Sequence, residues 1–159
     1  MNPRYATTLK ALADAGVDFV VIGGIAAVLQ GAPIVTFDLD LVHRRTADNV
    51  ARLLAVLEAL HARYRDPRDL PPAASTLLGP GHHLLTTNYG PLDLLGSIAD
   101  GLAYEDLAAD TVSLDVDGRP VAVLALARLI EVKQATGRPK DLAVIPTLRA
   151  TLAEQRRPS

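Results

Sequence analysis

The sequence predicts an α/β domain in which helices flank a mixed β-sheet. A short apolar run at residues 19–22, bordered by glycine, indicates a buried central strand. Residues 37–43 alternate between an apolar side and a side that carries aspartates, which is typical of a strand covered on one face. Two hairpin patterns, at residues 83–95 and 112–124, exclude a regular βαβ alternation and therefore favour a mixed sheet.

The helices follow from apolar residues spaced three and four apart and from the residues that begin or end helices. Proline suits the first helical position, which is the reason for the start of the last helix. The predicted helices are residues 4–15, residues 25–30, a helix capped by Thr46 with a buried stripe from Val50 to Leu60, residues 126–136 ending at Gly137, and a tail helix that begins near Pro146.

Turn chemistry sets the remaining boundaries. The first hairpin turns at residues 88–90, and the second turns at Asp117 and Gly118, a pair that is typical of tight hairpins. Residues 64–81 contain four prolines and predict a loop with one helical turn at residues 73–77. A loop of this length inside a small domain is usually functional or mobile.

Composition narrows the class of protein. A chain of 159 residues predicts a single domain over residues 1–159, with the proline-rich loop at 64–81 and a C-terminal helical segment at 126–155. The net charge of −2 excludes nucleic-acid binding driven by bulk charge, and the lack of cysteine excludes disulfides and thiolate metal sites. No apolar run is long enough to span a membrane, and residues 1–5 lack the apolar core of a signal peptide. We therefore expect a cytoplasmic protein without a membrane partner.

Asp38 and Asp40 are the first candidates for chemistry. Residues i and i+2 of a strand point to the same face, so the two carboxylates and the hydroxyl of Thr36 are expected on one side. Two carboxylates about 4 Å apart repel by roughly 4 kcal/mol at an effective dielectric near 20. Mg²⁺, which is bound through carboxylates and substrate phosphates, would relieve that repulsion. The alternative is a pair of aspartates on an ordinary exposed strand.

A glycine turn precedes this strand. Gly23 and Gly24 follow the apolar run directly, and backbone N–H groups of such a turn can hold phosphate oxygens. Residues 22–26 (IGGIA) and 31–41 (GAPIVTFDLDL) together resemble the nucleotidyltransferase superfamily of the DNA polymerase β type. They resemble most closely its small bacterial branch of AbiEii and MenT toxin enzymes.

This resemblance implies a fold, a chemistry and a site. The fold would be the polymerase β-like nucleotidyltransferase fold. In that family the glycine turn holds the triphosphate of an NTP, and the Asp-x-Asp pair binds two Mg²⁺ ions, with Mn²⁺ as an alternative. The two metals steady the attacking and leaving oxygens of an in-line displacement. A third carboxylate on a later strand completes the site.

Asp93 is the candidate for the third carboxylate. Residues 88–95 (NYGPLDLL) resemble the later strand of the family, in which Gly-x-Leu-Asp follows a turn. Apolar neighbours on both sides predict that the strand is buried, and a metal would offset the cost of burying the carboxylate. In enzymes of this kind the third carboxylate can also act as general base on the acceptor hydroxyl. The alternative is a structural aspartate that is capped or paired.

Three basic residues near the C-terminus are candidates for phosphate binding. Lys133 lies on the apolar stripe of its helix, where it either extends past the edge of the core or points into a cleft to meet phosphate. Residues 129–142 resemble the C-terminal segment of the family, where basic residues precede an aspartate. This implies that Arg138 and Lys140 contact the triphosphate or the acceptor. The alternative is a solvated turn in which Asp141 caps a helix.

Two departures from the family pattern affect the expected function. Ile34 stands where related sequences often carry an arginine, which removes one possible phosphate contact. The chain also lacks the additional helical domain that many toxin members use to place the acceptor. We therefore expect a minimal catalytic core whose acceptor site is completed by a partner or by a second copy of the chain.

The resemblance predicts an enzyme that transfers a nucleoside monophosphate from an NTP to a hydroxyl group. The acceptor would be a tRNA 3′ end, a protein side chain or a small molecule such as an aminoglycoside. Family analogy favours tRNA or protein, in a toxin–antitoxin system with an antitoxin as partner. The alternative is a catalytically inactive module that binds nucleotide or a partner protein, and a third hypothesis is an α/β domain with aspartates on its surface.

Overall fold

The computed structural model describes residues 3–158. Met1, Asn2 and Ser159 lie outside this range, as do the expected domain limits at residues 1 and 159 and part of the segment compared with a signal peptide. The elements in chain order are α1 (Pro3–Asp14), β1 (Phe19–Ile22), α2 (Gly23–Leu29), β2 (Leu39–His43), α3 (Ala47–Ala59), β3 (Arg63–Tyr64), α4 (Ala74–Leu77), β4 (His82–Thr87), β5 (Gly90–Leu95), α5 (Tyr104–Leu107), a 3₁₀ turn (Ala108–Asp110), β6 (Thr111–Val116), β7 (Arg119–Leu124), α6 (Leu126–Thr136) and α7 (Pro139–Gln155).

The strands of residues 3–158 form one seven-stranded mixed sheet in the order β3-β4-β5-β2-β1-β7-β6. The pairs β2–β5 and β1–β7 are parallel, and the other neighbours are antiparallel. Both predicted hairpins are present, as β4–β5 and β6–β7. The sequence-based prediction of a mixed sheet flanked by helices is therefore confirmed.

The core lies around the central strands. All four residues of β1 are buried, in agreement with the apolar run that predicted a central strand. Leu9 and Leu12 of α1 and Leu53 and Leu57 of α3 are at most 1% exposed, so the predicted apolar stripes of these two helices face the interior. Thr46 caps α3 by accepting a hydrogen bond from the backbone of Asn49, as predicted.

Strand β2 begins later than predicted. It starts at Leu39, and residues 32–38, called the pre-strand segment below, have no regular secondary structure. Its neighbour β1 ends at Ile22, which pairs with Asp40. Because the chain turns into α2 at Gly23, β1 offers no partner to Phe37 or Asp38. The prediction of one strand that carries both Asp38 and Asp40 is therefore wrong.

Helix α7 begins earlier than predicted. It starts at Pro139, two residues after Gly137, the residue that caps the end of α6, and Pro146 lies inside it. Proline is favoured at the first position of a helix, but of these two prolines only Pro139 stands at a helix start. An interior proline removes one backbone hydrogen bond, and the preceding turn near Leu142 is exposed, so water can satisfy the free carbonyl.

The proline-rich loop is attached to the sheet by two buried histidines. It contains the predicted helical turn, at Ala74–Leu77. The Nε2 atom of His43 lies 2.8 Å from the carbonyl oxygen of Leu77, and the hydroxyl of Tyr64 lies 2.9 Å from Nδ1 of His83. These contacts attach the loop to β2 and β4.

Candidate functional site

Asp40 and Asp93 lie side by side on neighbouring strands. The parallel register of β2 and β5 pairs the two residues directly, and the side chain of Asp93 is only 13% exposed. Burial, followed by the neighbouring carboxyl of Asp93 and the charge of Asp38, raises the pKa of Asp40 to about 7 against the opposing charge of Lys133. Like charges brought together in a partly buried place favour the protonated form.

Asp38 stands apart from this pair. It is exposed and lies in the pre-strand segment, one residue before β2 begins. Its charge still acts on Asp40. Within residues 3–158, no three side chains of His, Cys, Asp or Glu are arranged as a ready-made metal cage.

The glycine turn packs against the acidic strand and the pre-strand segment. Gly23 has a φ of 68°, and a Cβ atom there would come within 3.0 Å of the Asp40 carboxylate. A Cβ atom on Gly24 would lie 2.6 Å from Oγ1 of Thr36. Only glycine can therefore bring this backbone so close to Asp40 and Thr36. Helix α2 starts at Gly23 rather than at Ile25 as predicted, so the turn is the first turn of the helix.

A cleft of about 630 Å³ opens over the glycine turn. It collects nearly all of the predicted site residues from four separate parts of the chain, although Asp93, the neighbour of Asp40 on β5, is not part of its wall. The predicted residues that line the cleft are Gly23, Gly24, Thr36, Asp38, Asp40, Lys133, Arg138 and Lys140.

The second wall of the cleft is basic and is organised by Asp141. This aspartate is 5% exposed and also lines the cleft. Its two oxygens bind different cations: Lys133 Nζ lies 3.4 Å from Oδ1, and Arg138 Nε lies 2.7 Å from Oδ2. Burial alone would raise the pKa of Asp141, but the hydrogen bonds and charges of Arg138 and Lys133 outweigh it and hold this pKa below its usual value.

The positions of Lys133 and Asp141 bear on two of the predicted alternatives. Lys133 lines the cleft and forms an ion pair with Asp141, and its charge reaches Asp40. Asp141 is not the N-cap of α7, since Arg138 holds that position. It is a buried partner of two basic side chains.

Arg65 is a site neighbour that sequence reasoning missed. Its Nη2 atom lies 2.7 Å from Oδ1 of Asp93, and its Nη1 atom donates to the carbonyl of Leu85 at 2.6 Å. Arg65 stands at the start of the proline-rich loop, far from Asp93 in sequence. No local spacing rule connects the two residues, because the contact depends on how β3, β4 and β5 pair.

Tyr5 is a second missed neighbour. It is 7% exposed in helix α1, and its hydroxyl donates to the carbonyl oxygen of Phe37 in the pre-strand segment. Burial, followed by the charges of Asp38 and Asp40, raises the pKa of the Tyr5 hydroxyl. The sequence marked Tyr5 only as part of an apolar helix face.

The donor set of the cleft suits a hard divalent cation. Carboxylate oxygens of Asp38, Asp40 and Asp93 are hard ligands, and Mg²⁺ is usually bound by one or two carboxylates together with water and substrate phosphates. Burial, together with the charges of Asp93 and Asp38, raises the pKa of Asp40, and a bound cation would favour its ionised form. The residues present therefore fit Mg²⁺ that is completed by phosphate oxygens.

The sequence matches no protein-family model and none of the curated proteins. Within residues 3–158, no helix is both long and apolar enough to cross a membrane. Structural similarity is more informative.

Three solved structures share the architecture over nearly the whole chain. The lincosamide antibiotic adenylyltransferase LnuA, in its lincomycin-bound form, has a TM-score of 0.64 at 16% identity, with 95% of this chain and 98% of LnuA covered. TM1012 of Thermotoga maritima, a protein with an inferred nucleotidyltransferase function, has a TM-score of 0.60 at 18% identity, covering 97% and 96%. ANT(2″)-Ia, solved in complex with adenylyl-2″-tobramycin, has a TM-score of 0.59 at 16% identity, covering 98% and 92%.

These similarities establish the nucleotidyltransferase fold of the chain. At such low identities they do not extend to substrate or mechanism. The closer resemblance to the AbiEii and MenT branch stays a prediction from the sequence.

Proposed function

We propose that this chain is a Mg²⁺-dependent nucleotidyltransferase that moves a nucleoside monophosphate from an NTP to a hydroxyl acceptor. One observation carries the proposal: on a nucleotidyltransferase fold, the register of β2 and β5 places Asp40 beside Asp93, directly under a glycine turn. Burial and the neighbouring carboxylates raise the pKa of Asp40 to about 7, and perturbed carboxyl groups of this kind are typical of functional sites.

The reaction breaks the bond between the α-phosphorus and the bridging oxygen of the NTP and forms a bond from that phosphorus to the acceptor oxygen. Pyrophosphate leaves, and the proton of the hydroxyl passes to a base, a role that suits Asp93. When bound, Mg²⁺ would neutralise charge on the transferring phosphate. Asp38, Asp40 and Asp93 are its proposed ligands, with Mn²⁺ as a substitute.

The two walls of the cleft have complementary proposed roles. Gly23 and Gly24 offer backbone N–H groups to the phosphates, with Thr36 packed beside them. Lys133, Arg138 and Lys140 offer positive charge from the second wall. Asp141 keeps two of these cations in place, so less side-chain freedom is lost when phosphate binds.

The acceptor is the finer part of the proposal. LnuA is named for adenylyl transfer to lincosamide antibiotics, and the ANT(2″)-Ia structure contains adenylyl-tobramycin, which supports a small hydroxylated molecule. The resemblance to AbiEii and MenT enzymes supports a tRNA 3′ end or a protein side chain, with the chain as the toxin of a toxin–antitoxin pair. An antitoxin or a second copy of the chain would then be its partner.

A second candidate function rests on Ile34. This apolar side chain lines the cleft where related sequences often carry an arginine. A cleft that lacks a phosphate contact can still bind nucleotide and yet turn over poorly. The second candidate is therefore an inactive module that binds nucleotide or a partner protein.

Transfer of label from each α-³²P NTP tests the proposal. The protein is incubated with Mg²⁺ and total tRNA, cell extract, lincomycin or tobramycin, beside the double variant Asp38→Ala/Asp40→Ala. Transfer by the wild-type protein alone would support the enzyme, and the labelled species would identify the acceptor. NTP binding without transfer would favour the binding module, and absence of both would refute the proposed function.

A further inference from the structure

The pre-strand segment carries a proposed metal ligand without the support of a sheet. Residues 32–38 lie between α2 and β2 and have no regular secondary structure. Asp38 is exposed, and Val35 and Phe37 are 82% and 76% exposed. A ligand on such a segment needs contacts from outside it, because loosely held ligands weaken metal sites.

Two contacts hold the segment close to Asp38. Thr36 packs against Gly24 at the start of α2. On the other side, the hydroxyl of Tyr5 donates to the carbonyl of Phe37. That carbonyl and the backbone nitrogen of Asp38 belong to one planar peptide unit, so the Tyr5 hydroxyl restrains the backbone from which the Asp38 side chain extends.

Tyr5 is itself held firmly. It is 7% exposed and lies in α1, which packs against α3 and β7. Its ring could be part of the core without any hydroxyl, since phenylalanine has nearly the same shape. The hydroxyl is therefore the part of Tyr5 that core packing does not explain.

We propose that Tyr5 is a positioning residue of the site, whose hydroxyl fixes the peptide that carries Asp38. This inference rests on the proposed function, in which Asp38 binds the divalent cation of the NTP complex. Tyr5 touches neither substrate nor cation and acts through the Phe37 carbonyl. Helix α1, outside the sheet, thereby becomes part of the machinery of the cleft.

The conservative change Tyr5→Phe tests the proposal, with Tyr64→Phe as a matched control. The Tyr64→Phe variant also loses a hydrogen-bonded hydroxyl. The partner of that hydroxyl is His83, which does not line the cleft. Binding of α,β-methylene NTPs with Mg²⁺ is measured by calorimetry, because these analogues bind without transfer. We expect Tyr5→Phe to weaken binding about tenfold, the lower end for loss of a group that orients a metal ligand. Tyr64→Phe should bind as the wild-type protein does.

Amide hydrogen exchange of the unliganded proteins provides a second measurement that needs no substrate. Tyr5→Phe should speed exchange at residues 36–40 severalfold, and Tyr64→Phe should leave these residues unchanged. Unchanged exchange in Tyr5→Phe would overturn the proposal. So would equal NTP binding by Tyr5→Phe and the wild-type protein, while the proposed function would survive. If the wild-type protein binds none of the analogues, the proposed function fails and the role of Tyr5 as a positioning residue fails with it.

Discussion

Asp40 and Asp141 line two walls of one cleft and are both largely buried, yet their charges are balanced in opposite ways. Asp141 binds Lys133 through one oxygen and Arg138 through the other, and these cations hold its pKa below the usual value. Asp40 has Asp93 beside it and Asp38 near it, and burial together with these two carboxylates raises its pKa to about 7. One carboxylate is satisfied by the protein, and the other is not.

The difference separates a structural role from a ligand-binding role. A buried carboxylate with two cations contributes to a stable junction between α6 and α7. A buried pair of carboxylates costs stability, and such a cost is typical of sites that are completed by a ligand. The acidic wall is therefore expected to gain from a cation, and the basic wall from a polyanion.

Replacing Asp40 by Asn tests this difference most strongly. The variant should lose transfer by roughly a thousandfold or more, because several kcal/mol of metal-dependent stabilisation depend on the carboxylate. Its free energy of unfolding near pH 8 should exceed that of the wild-type protein by about 2 kcal/mol, because like-charge repulsion is removed. The variant should therefore unfold at a higher urea concentration. Activity assays and urea titrations check the two effects. A destabilised Asp40→Asn protein would contradict the comparison.

The pH dependence of stability should expose the same carboxylate. The folded state holds the Asp40 proton with a pKa of about 7, against 3.8 for an ordinary aspartate. Proton binding by Asp40 therefore contributes fully to the free energy of unfolding below about pH 4. This contribution, on the order of 4 kcal/mol, is lost as the pH rises to about 7. Urea unfolding across this range checks it, without divalent cations. Subtracting the pH profile of Asp40→Asn from that of the wild-type protein removes the contributions of other titrating groups. A difference that does not change with pH would show that the pKa of Asp40 is not perturbed.

Replacing Asp141 by Asn should destabilise the protein, whereas Asp40→Asn should stabilise it near pH 8. The variant keeps the shape of the side chain but leaves Lys133 and Arg138 without their partner, and Lys133 is only 18% exposed. We expect a loss of about 2–3 kcal/mol, or roughly 5–10 °C in Tm. Thermal and urea unfolding measure the loss. Stability equal to that of the wild-type protein would mean that the two ion pairs contribute little.

Removing Arg65 should give a smaller effect of the same sign. Arg65→Ala leaves the carboxylate of Asp93 without its 2.7 Å partner, which should cost about 1–2 kcal/mol. Arg63→Ala is the matched control, because Arg63 lies only two residues earlier, in β3, but pairs with the exposed Asp69, where less than about 1 kcal/mol is expected. Chemical unfolding of both variants makes the comparison. Equal losses would show that the Arg65 pair behaves as an ordinary surface pair.

Much of the site could be read from local sequence. The apolar run before Gly23 predicted a buried strand, and the glycines predicted a tight turn beside the aspartates. The pairing of Asp40 with Asp93 was inferred only through a family resemblance, because nothing local states which strands become neighbours. The strand boundary at Leu39 was missed because it depends on where the partner strand β1 ends.

Residues that contact the site from distant parts of the chain could not be predicted from the sequence for the same reason. Arg65 and Tyr5 contact the site from elements whose own patterns indicate a loop and an apolar helix face. For Asp141 the sequence offers a helix cap as one alternative, since a local rule places aspartate near helix starts, and no local pattern shows that the residue is buried.

The sequence by itself determined the mixed α/β architecture, the two hairpins and the glycine and acidic residues of one wall. Periodicity and turn chemistry act over a few residues, so one-dimensional patterns contain them. Only the tertiary structure decided which carboxylates are balanced by cations, because charge compensation depends on distances between residues far apart in the chain. The same type of side chain has two cations as partners at position 141 and two carboxylates as neighbours at position 40.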